Sequence, residues 1–291
     1  MTQTAIIGVA GAGTMGVGIA IVAARAGFAT ILFDQDRAAL DRAQKQIAGF
    51  FAKSVEKRKL DRPAADAALA RVTSAGDIAA LAPCALVIEA VFEDLIVKRA
   101  LLAALDRICA PGAIFASNTS TLSITEIAAG STRPERVVGM HFCLPAQLMK
   151  LVEMSPGLNT DDDAFDQAWQ FCLAMGQRPV KTRDTPGFIL NYFLVPFNND
   201  AIRLVEAGVA EPADIDRAIK TGLGYAMGPC ELLDLIGLDT QLRLCEAFYT
   251  VTRDARAAAP PLLRRMVAAG RLGRKTGHGF FRYQGDATFG G

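Results

Sequence analysis

Histidines and paired cysteines are scarce in this sequence. Among 291 residues there are only 2 histidines, and the 6 cysteines stand singly, without a CxxC pair. Zinc sites use closely spaced cysteine and histidine ligands, so we predict no metal site. Scattered cysteines are instead typical of free structural thiols in a reducing compartment.

An excess of charge of one sign is also lacking. The chain has 31 basic and 30 acidic residues, for a net charge of +1, whereas nucleic-acid-binding proteins usually present a strongly basic face. The segment KSVEKRK at 53–59 is a local exception. It is typical of a solvated helix face, and the alternative is that it meets an anionic ligand. We expect no nucleic-acid partner.

Long apolar runs and a targeting leader are absent as well. No apolar run is long enough to cross a bilayer, and the first residues enter an apolar strand without a basic leader. Hydrophobic residues make up 51% of the chain, which is the balance of a globular protein. We therefore expect a cytoplasmic protein without a membrane partner, with room for two domains or one large one.

The start of the chain predicts a strand, a tight turn and a helix. The apolar run TAIIGVAG leads into GAGTMG, after which apolar residues recur at helical spacing. In a dinucleotide-binding turn, Gly11 makes the turn, Gly13 lets the backbone approach a pyrophosphate, and Gly16 lets the helix pack on the strand. The phosphates then lie at the helix N-terminus, beside Thr14 and Met15.

An acidic residue follows at the spacing expected for NAD. The second apolar run, FATILFD, ends in Asp34, 18 residues after Gly16, close to the offset of about 20 residues at which an acid meets the ribose hydroxyls of NAD. A carboxylate there repels the 2′-phosphate of NADP. Arg37, just beyond it, is the feature that leaves NADP open. We predict NAD as the cofactor.

Strands and helices alternate through the first part of the chain. Further strands are predicted at 84–91, 112–118 and 136–142, each after a helix-like segment, with another short one at 71–76. This alternation predicts an α/β fold with an N-terminal Rossmann-type, doubly wound, mainly parallel sheet. Ligands of such sheets lie beyond the carboxyl ends of the strands.

The second part of the chain is helical. From residue 187 onward only helical spacing is present, and TPG at 185–187 is a natural boundary. We predict an NAD-binding domain over 1–185 and an all-helical C-terminal domain over 186–291. The second domain is expected to close the substrate cleft and to form a homodimer; the alternative is a self-contained bundle. Pro196 is expected to kink the first of these helices or to open a turn.

His141 and Glu153 are candidates for acid-base chemistry. His141 ends a predicted strand on the ligand edge, and MKLVEMS predicts the next strand, with CLPAQ turning between them. Imidazole, with a reference pKa of about 6.5, accepts a proton near neutral pH, and a facing carboxylate orients it. The alternatives are a core histidine and a surface acid. A nucleophilic Cys143 is a further alternative, which hydride transfer does not need.

Seven blocks of the sequence match one pattern in order and in spacing. They are GAGTMG (11–16), EAVFEDLIVK (89–98), SNTSTLSITEIA (117–128), GMHFCLPAQLMKLVE (139–153), DTPGFILN (184–191), MGPCELLDLIGLD (227–239) and GRKTGHGFF (273–281). Together they resemble the L-3-hydroxyacyl-CoA dehydrogenase family, in its short bacterial 3-hydroxybutyryl-CoA dehydrogenase type. The resemblance extends over essentially the whole chain.

The resemblance implies an enzyme that oxidises an (S)-3-hydroxyacyl-CoA reversibly to the 3-oxoacyl-CoA with NAD, with a short-chain substrate such as 3-hydroxybutyryl-CoA. It implies that His141 is the general base and Glu153 its partner. It also implies that Ser120 and Asn191 hold the substrate's oxygen. The other implied contacts are Glu93, Lys98, Ser120 and Lys275 for the cofactor and Ser54 for CoA.

Several features leave alternatives open. Ser120 can instead cap the helix that follows it, and Asn191 can satisfy backbone groups at a helix start. The chain departs from the family pattern at Leu144, where an asparagine is expected near the nicotinamide, and at Tyr192, where arginine is common. Either Gln147 substitutes for that asparagine or the pocket suits another acyl chain. The alternative functions are a dehydrogenase of a free or carrier-bound hydroxy acid and a non-catalytic NAD-binding protein.

Overall fold

The chain forms two compact units. The computed structural model describes residues 5–283, and the two units divide between Phe188 and Ile189. The sequence pattern places the boundary after residue 185, just before the turn that leads to this point. Residues 1–4 of the first predicted domain and 284–291 of the second lie outside the described residues.

The first unit combines one sheet with helices on both of its faces. Its strands are β1 (Ile6–Ala10), β2 (Ala29–Phe33), β3 (Val72–Ala75), β4 (Leu86–Glu89), β5 (Ile114–Ser117), β6 (Val137–Phe142), β7 (Leu151–Pro156) and β8 (Arg178–Lys181). Its α-helices are α1 (Thr14–Arg25), α2 (Arg37–Glu56), α3 (Arg62–Ala70), α4 (Leu95–Ile108), α5 (Ile124–Ala128) and α6 (Asp162–Ala174). Short 3₁₀ helices span Ile78–Leu81 and Pro134–Arg136.

The strand order confirms the predicted Rossmann-type sheet. The 8 strands follow the order β3-β2-β1-β4-β5-β6-β7-β8, and neighbours are parallel except β6 and β7. Chain order reverses at β1, which lies between β2 and β4. In open α/β sheets this switch point opens the crevice where ligands bind, and the glycine-rich turn follows β1 directly.

The central strands are apolar because both of their faces are covered. All four residues of β4 are buried. Within it, Val87 packs into the hydrophobic cluster that includes α4 and α5, whereas Ile88 packs into the cluster that includes α1, α2 and α6. Successive strand side chains point to opposite faces, so the two clusters hold the helices against the two sides of the sheet.

The last three strands do not continue the all-parallel pairing of the strands before them. β6 and β7 form an antiparallel pair, in which His141 lies directly opposite Glu153. β8 then pairs with β7 in parallel and has no counterpart in the sequence prediction. Its residues RPVK are mostly exposed, because edge strands carry charged residues and proline. Such a strand has no apolar alternation by which it could be recognised.

The second unit is helical, as predicted. Its helices are α7 (Leu190–Glu206), α8 (Pro212–Leu223), α9 (Pro229–Ile236), α10 (Leu238–Thr252) and α11 (Pro261–Ala268), followed by a 3₁₀ turn at Arg274–Thr276. They surround a core that includes Val195, Leu233 and Phe248. Helix α7 continues across Pro196, so this proline opens no turn. Within residues 5–283, no helix is both long and apolar enough to span a bilayer.

Candidate active site

Glycines shape the turn between β1 and α1. Gly11 has a φ of +108°, and a Cβ on it would lie 2.6 Å from the carbonyl oxygen of Ala90. A Cβ on Gly16 would overlap the carbonyl oxygen of Gly11. Gly13 differs, because a Cβ there would meet nothing within 4 Å. The backbone therefore requires two of the glycines, and the third faces open space.

This open space suits a dinucleotide. It adjoins the N-terminus of α1, whose N-cap is Gly13 and therefore offers no side chain to the first N–H groups, those of Thr14 and Met15. Unsatisfied helix N–H groups bind phosphate. The carboxylate of Asp34, just after β2, accepts hydrogen bonds from the backbone N–H of Ala12 at 2.7 Å and of Asp36 at 2.9 Å. A carboxylate thus stands beside the turn, where a ribose is expected.

Gly16→Ala is expected to weaken NADH binding by at least about tenfold, equivalent to about 1.4 kcal/mol. The added methyl group would overlap a backbone oxygen of Gly11, and a backbone oxygen cannot rotate away as a side chain does. The turn must shift, and the phosphate-binding N–H groups shift with it. Fluorescence titration with NADH measures the effect.

Gly49→Ala provides the matched control, since a Cβ at Gly49, within α2, would meet nothing within 4 Å. Alanine is also the better helix former. NADH affinity should stay unchanged in this variant. Equal affinities in the two variants would contradict a role for Gly16 in shaping the turn.

His141 lies between two hydrogen-bonding partners. Its Nδ1 is 2.9 Å from Oε2 of Glu153, and its Nε2 is 3.0 Å from Oγ of Ser120. His141 is 7% exposed and Glu153 is 1% exposed, so Glu153 is not a surface acid. Directly opposite residues of an antiparallel pair share one face of the sheet. The sheet register therefore brings these two side chains together, as the sequence predicted.

The carboxylate determines which nitrogen of His141 carries the proton. A carboxylate only accepts hydrogen bonds, so neutral His141 presents N–H at Nδ1 to Glu153. Nε2 then holds a lone pair and faces the hydroxyl of Ser120, which donates to it. With its second nitrogen fixed by an acid, such an imidazole is able to accept a proton at Nε2. A core histidine satisfied only by its own strand would lack these two partners.

Ser120 belongs to a tightly held turn at residues 119–121, called here the Ser120 turn. Oε1 of Glu93 accepts hydrogen bonds from Oγ1 of Thr119 at 2.6 Å and from the backbone N–H groups of Ser120 at 2.8 Å and Thr121 at 2.9 Å. A single carboxylate oxygen therefore ties the turn to the loop after β4. The adjacent helix α5 is capped by Ser123, so Ser120 is not its cap.

Sequence reasoning missed two further groups that support the site. Asp184 accepts hydrogen bonds from Oγ of Ser123 at 2.8 Å and from the backbone N–H groups of Ile124 at 2.7 Å and Thr125 at 2.8 Å. Oδ1 of Asn118 accepts the backbone N–H of Phe142 at 2.9 Å and so ties the end of β5 to the end of β6. Each residue lies inside a block of the family resemblance, which was the available signal.

The pKa of Glu93 lies below its ordinary value. Burial alone would raise the pKa of this carboxyl, but the charge of Lys98 and the hydrogen bonds from the Ser120 turn outweigh burial. A depressed carboxyl pKa stabilises the fold above the ordinary pKa of glutamate, and that stabilisation is lost as the pH falls through the depressed value. The contribution of Glu93 is therefore sensitive to acid.

We expect the difference in Tm between the wild type and Glu93→Gln to shrink as the pH is lowered from about 6 to about 3, because protonation removes the charge that the variant already lacks. Thermal melts at a series of pH values measure this difference. Other carboxyls titrate in both proteins, so their effects cancel in the comparison. A difference that is constant across the range would contradict the depressed pKa.

Two of the predicted site residues lie in the second unit. Asn191 is the second residue of helix α7, whose N-cap is Ile189. Lys275 lies in the 3₁₀ turn, where its Nζ contacts Oδ1 of Asp239. Burial opposes ionisation of Asp239, but the hydrogen bond and charge of Lys275 hold the pKa of that carboxyl below its ordinary value. The substrate and cofactor roles of these two residues stay predictions.

Two candidate site residues in the first unit, Ser54 and Cys143, are less accessible to a ligand than the sequence suggests. Ser54 is buried within α2, and its hydroxyl donates to the carbonyl oxygen of Phe50 at 2.8 Å. It can still accept a hydrogen bond from a ligand, so its contact with CoA stays a prediction. Cys143 is also buried, and burial raises the pKa of its thiol to about 12. A thiolate nucleophile at Cys143 is therefore disfavoured.

Leu144 lies in the connection between His141 and Glu153. It is 38% exposed, and Leu148 and Met149 in the same connection are also exposed. A Cβ on Gly18 of α1 would lie 2.7 Å from Oε1 of Gln147. Gln147 thus packs over α1, close to the glycine-rich turn, and Leu144 gives the connection an apolar rather than a polar side chain.

The chain also matches known proteins along its length. The profile described as 3-hydroxyacyl-CoA dehydrogenase, NAD binding domain matches residues 6–185, and the one described as 3-hydroxyacyl-CoA dehydrogenase, C-terminal domain matches residues 187–283. The chain is 43% identical over 277 residues to a probable 3-hydroxybutyryl-CoA dehydrogenase of Deinococcus radiodurans, covering 95% of this chain and 99% of the relative. The chain belongs to the 3-hydroxyacyl-CoA dehydrogenase family.

Two further relatives support the assignment of this dehydrogenase to the family. The 3-hydroxybutyryl-CoA dehydrogenase of Bradyrhizobium diazoefficiens is 42% identical and covers 96% of this chain and 95% of the relative. The crystal structure of (S)-3-hydroxybutyryl-CoA dehydrogenase from Ralstonia eutropha has a TM-score of 0.90 and 37% identity, covering 97% of this chain and 100% of that one. The resemblance inferred from the seven blocks is confirmed.

This dehydrogenase is an oxidoreductase whose cofactor is NAD. The residues around the glycine-rich turn fit that cofactor, since Gly13 faces open space and Asp34 places a carboxylate beside it. When bound, NAD supplies the hydride acceptor. Positioning and proton transfer are left to the side chains of the protein.

Proposed function

We propose that the dehydrogenase reversibly oxidises a short-chain (S)-3-hydroxyacyl-CoA, such as 3-hydroxybutyryl-CoA, to the 3-oxoacyl-CoA, with His141 as the general base. The observation that carries this proposal is the line of hydrogen bonds from Ser120 through His141 to Glu153. A short chain is favoured by relatives that are named 3-hydroxybutyryl-CoA dehydrogenase.

In the proposed mechanism, Nε2 of His141 accepts the proton of the substrate's 3-hydroxyl as C3 is oxidised. The carboxylate of Glu153 holds Nδ1 and stabilises the imidazolium that forms. The hydroxyl of Ser120, 3.0 Å from Nε2, turns from the imidazole to the substrate oxygen and orients it. Asn191 is proposed as a second contact to this oxygen. In the reverse direction His141 returns the proton.

The remaining contacts are proposed on the family resemblance. The glycine-rich turn and Asp34 bind the cofactor together with Glu93, Lys98, Ser120 and Lys275. Ser54 and the neighbouring cations contact CoA. Leu144 leaves a position near the nicotinamide without a polar side chain, and Gln147 is proposed as the group that replaces it.

We further propose that residues 1–185 serve as the NAD-binding domain, and that residues 186–291 close the substrate cleft and form a homodimer. The apolar side chains of Tyr192 and Phe193 on α7 are 63% and 66% exposed, which favours burial against a partner. Sedimentation analysis tests the dimer. All six cysteines are free thiols, which supports a reducing, cytoplasmic location.

Purified protein, acetoacetyl-CoA and NADH test the reaction. We expect NADH consumption with acetoacetyl-CoA, far slower consumption with free acetoacetate, and a strong preference for NADH over NADPH. Substrates of increasing acyl length then define the preferred chain. Turnover of acetoacetate at the rate of the thioester would favour a free-acid dehydrogenase. A lack of turnover with every substrate, despite NADH binding, would overturn the proposal.

A further inference from the structure

Three ionisable side chains meet at the carboxyl end of β4. Nζ of Lys98 lies 2.9 Å from both carboxylate oxygens of Glu89 and 3.3 Å from Oε2 of Glu93. Lys98 is 1% exposed and Glu89 is 3% exposed. Burial raises the pKa of Glu89 above its ordinary value even though Lys98 and Ser117 oppose the effect. The ammonium group of Lys98 is therefore engaged by two carboxylates inside the first unit.

A continuous set of contacts leads from this group to the general base. Glu89 is the last residue of β4 and lies opposite Ser117 in β5, whose hydroxyl contacts Oε1 of Glu89. Lys98 joins Glu89 to Glu93. The other oxygen of Glu93 accepts the hydrogen bonds of the Ser120 turn, and Ser120 contacts His141.

We propose that Glu89 and Lys98 are positioning residues that act on Ser120 through Glu93. The inference rests on the proposed function, in which Ser120 and His141 contact the substrate. It assigns Lys98 a positioning task in addition to the cofactor contact that the family resemblance implies.

The physical reason is the mobility of an unsupported glutamate. The side chain of Glu93 is 38% exposed, and the neighbouring Phe92 is 84% exposed, so the loop itself gives this side chain little packing. A glutamate side chain has several rotatable bonds, and fixing it costs conformational entropy. A buried ammonium group held by Glu89 supplies a fixed partner for one oxygen, which leaves the other oxygen aimed at the Ser120 turn.

The double variant Glu89→Gln/Lys98→Met removes this support without leaving a buried unpaired charge, which would itself be strongly destabilising. We expect kcat with acetoacetyl-CoA to fall by about 10- to 100-fold, the scale expected when reacting groups are misplaced by about 1 Å. This kcat is measured at saturating NADH, so a change in cofactor affinity does not enter it. Hydrogen exchange at the amides of Ser120 and Thr121 should become faster.

A second ion pair on the same helix provides the matched control. Asp106 of α4 pairs with Nε of Arg133 at 3.0 Å and accepts a hydrogen bond from Oγ of Ser131 at 2.8 Å. It lies near the C-terminus of α4 and Lys98 near the N-terminus, so the two pairs are at opposite ends of the helix. Asp106→Asn/Arg133→Met should leave kcat and the exchange of the Ser120 turn unchanged.

Glu93→Gln keeps the inference testable if the double variant fails to fold. Its amide oxygen can still accept a hydrogen bond from the turn, but it no longer attracts Lys98. At saturating NADH we expect an intermediate loss of kcat. The kcat of Glu93→Gln should lie between that of the wild type and that of Glu93→Ala, a variant that removes the acceptor altogether.

The outcomes are distinct. A rise of about tenfold or more in the Kd for NADH with unchanged kcat would leave Lys98 with a cofactor contact alone and overturn the inference. Unchanged kcat and unchanged amide exchange would reduce the cluster to buried structure and also overturn it. If the wild type turned over no acyl-CoA, the proposed function would fail, whereas hydrogen exchange would still decide whether the cluster orders the Ser120 turn.

Discussion

His141→Ala is expected to lower kcat for acetoacetyl-CoA reduction by about 10²- to 10⁴-fold, the range typical of a lost general acid or base. Alanine has no group that can give the proton to the forming alcohol, and it removes the partner of both Ser120 and Glu153. Steady-state kinetics at saturating NADH measure the loss. NADH affinity should remain within about threefold of the wild type, because the glycine-rich turn and Asp34 are untouched.

His278→Ala is the matched control, since His278 is the second of the two histidines and lies in the second unit. Its kcat should equal that of the wild type. A His141→Ala variant that retains more than about a tenth of the activity would show that another group transfers the proton. Loss of NADH binding in this variant would instead point to a disturbed fold.

Glu153→Gln is expected to lower kcat by about 10²- to 10⁴-fold while leaving the protein folded, on the scale seen when the acid of a catalytic triad becomes its amide. The amide has nearly the same shape but no charge to stabilise the imidazolium. It can also donate to Nδ1, which favours the proton on Nε2, where the lone pair is needed. Kinetics of 3-hydroxybutyryl-CoA oxidation with NAD and circular dichroism melts measure activity and folding separately.

Glu246→Gln changes a glutamate that pairs with Arg264 on the exposed surface of the second unit. Such pairs contribute little to stability, so its kcat and Tm should match the wild type. A folded Glu153→Gln variant with full activity would show that Glu153 merely fills space beside His141. Partial recovery of kcat in Glu153→Asp would show that a negative charge is needed and that moving this charge away from His141 lowers the rate.

Several features of the site could be predicted from the sequence because they arise from neighbouring residues. The glycine-rich turn follows from strand and helix periodicity on either side of it, and Asp34 follows from the next strand. The pairing of His141 with Glu153 was also accessible, since one short connection joins their strands and side-chain register repeats every second residue. These positions depend on local geometry.

Other features depend on contacts between distant parts of the chain. Glu93 reaches a turn 27 residues away at Ser120, and Asp184 reaches Ser123 across 61 residues. Hydropathy and residue spacing do not predict which carboxylate contacts which turn. The edge strand β8 was missed because its exposed, charged residues lack alternation. The pairing of Lys98 with Glu89 could not be predicted from the sequence either, because a lysine is buried only where packing brings a partner to it.

The sequence by itself determined the family, the Rossmann-type sheet and NAD, because each is encoded in short motifs or in local periodicity, and it predicted His141, Glu153 and Ser120 as the reacting groups. The tertiary structure alone decided how those groups are supported. It placed Ser120 against His141, tied the Ser120 turn to Glu93, and buried Lys98 between two carboxylates. The physical reason is that a hydrogen bond or ion pair depends on positions in space to within a few tenths of an ångström, and only the packed sheet and helices fix those positions.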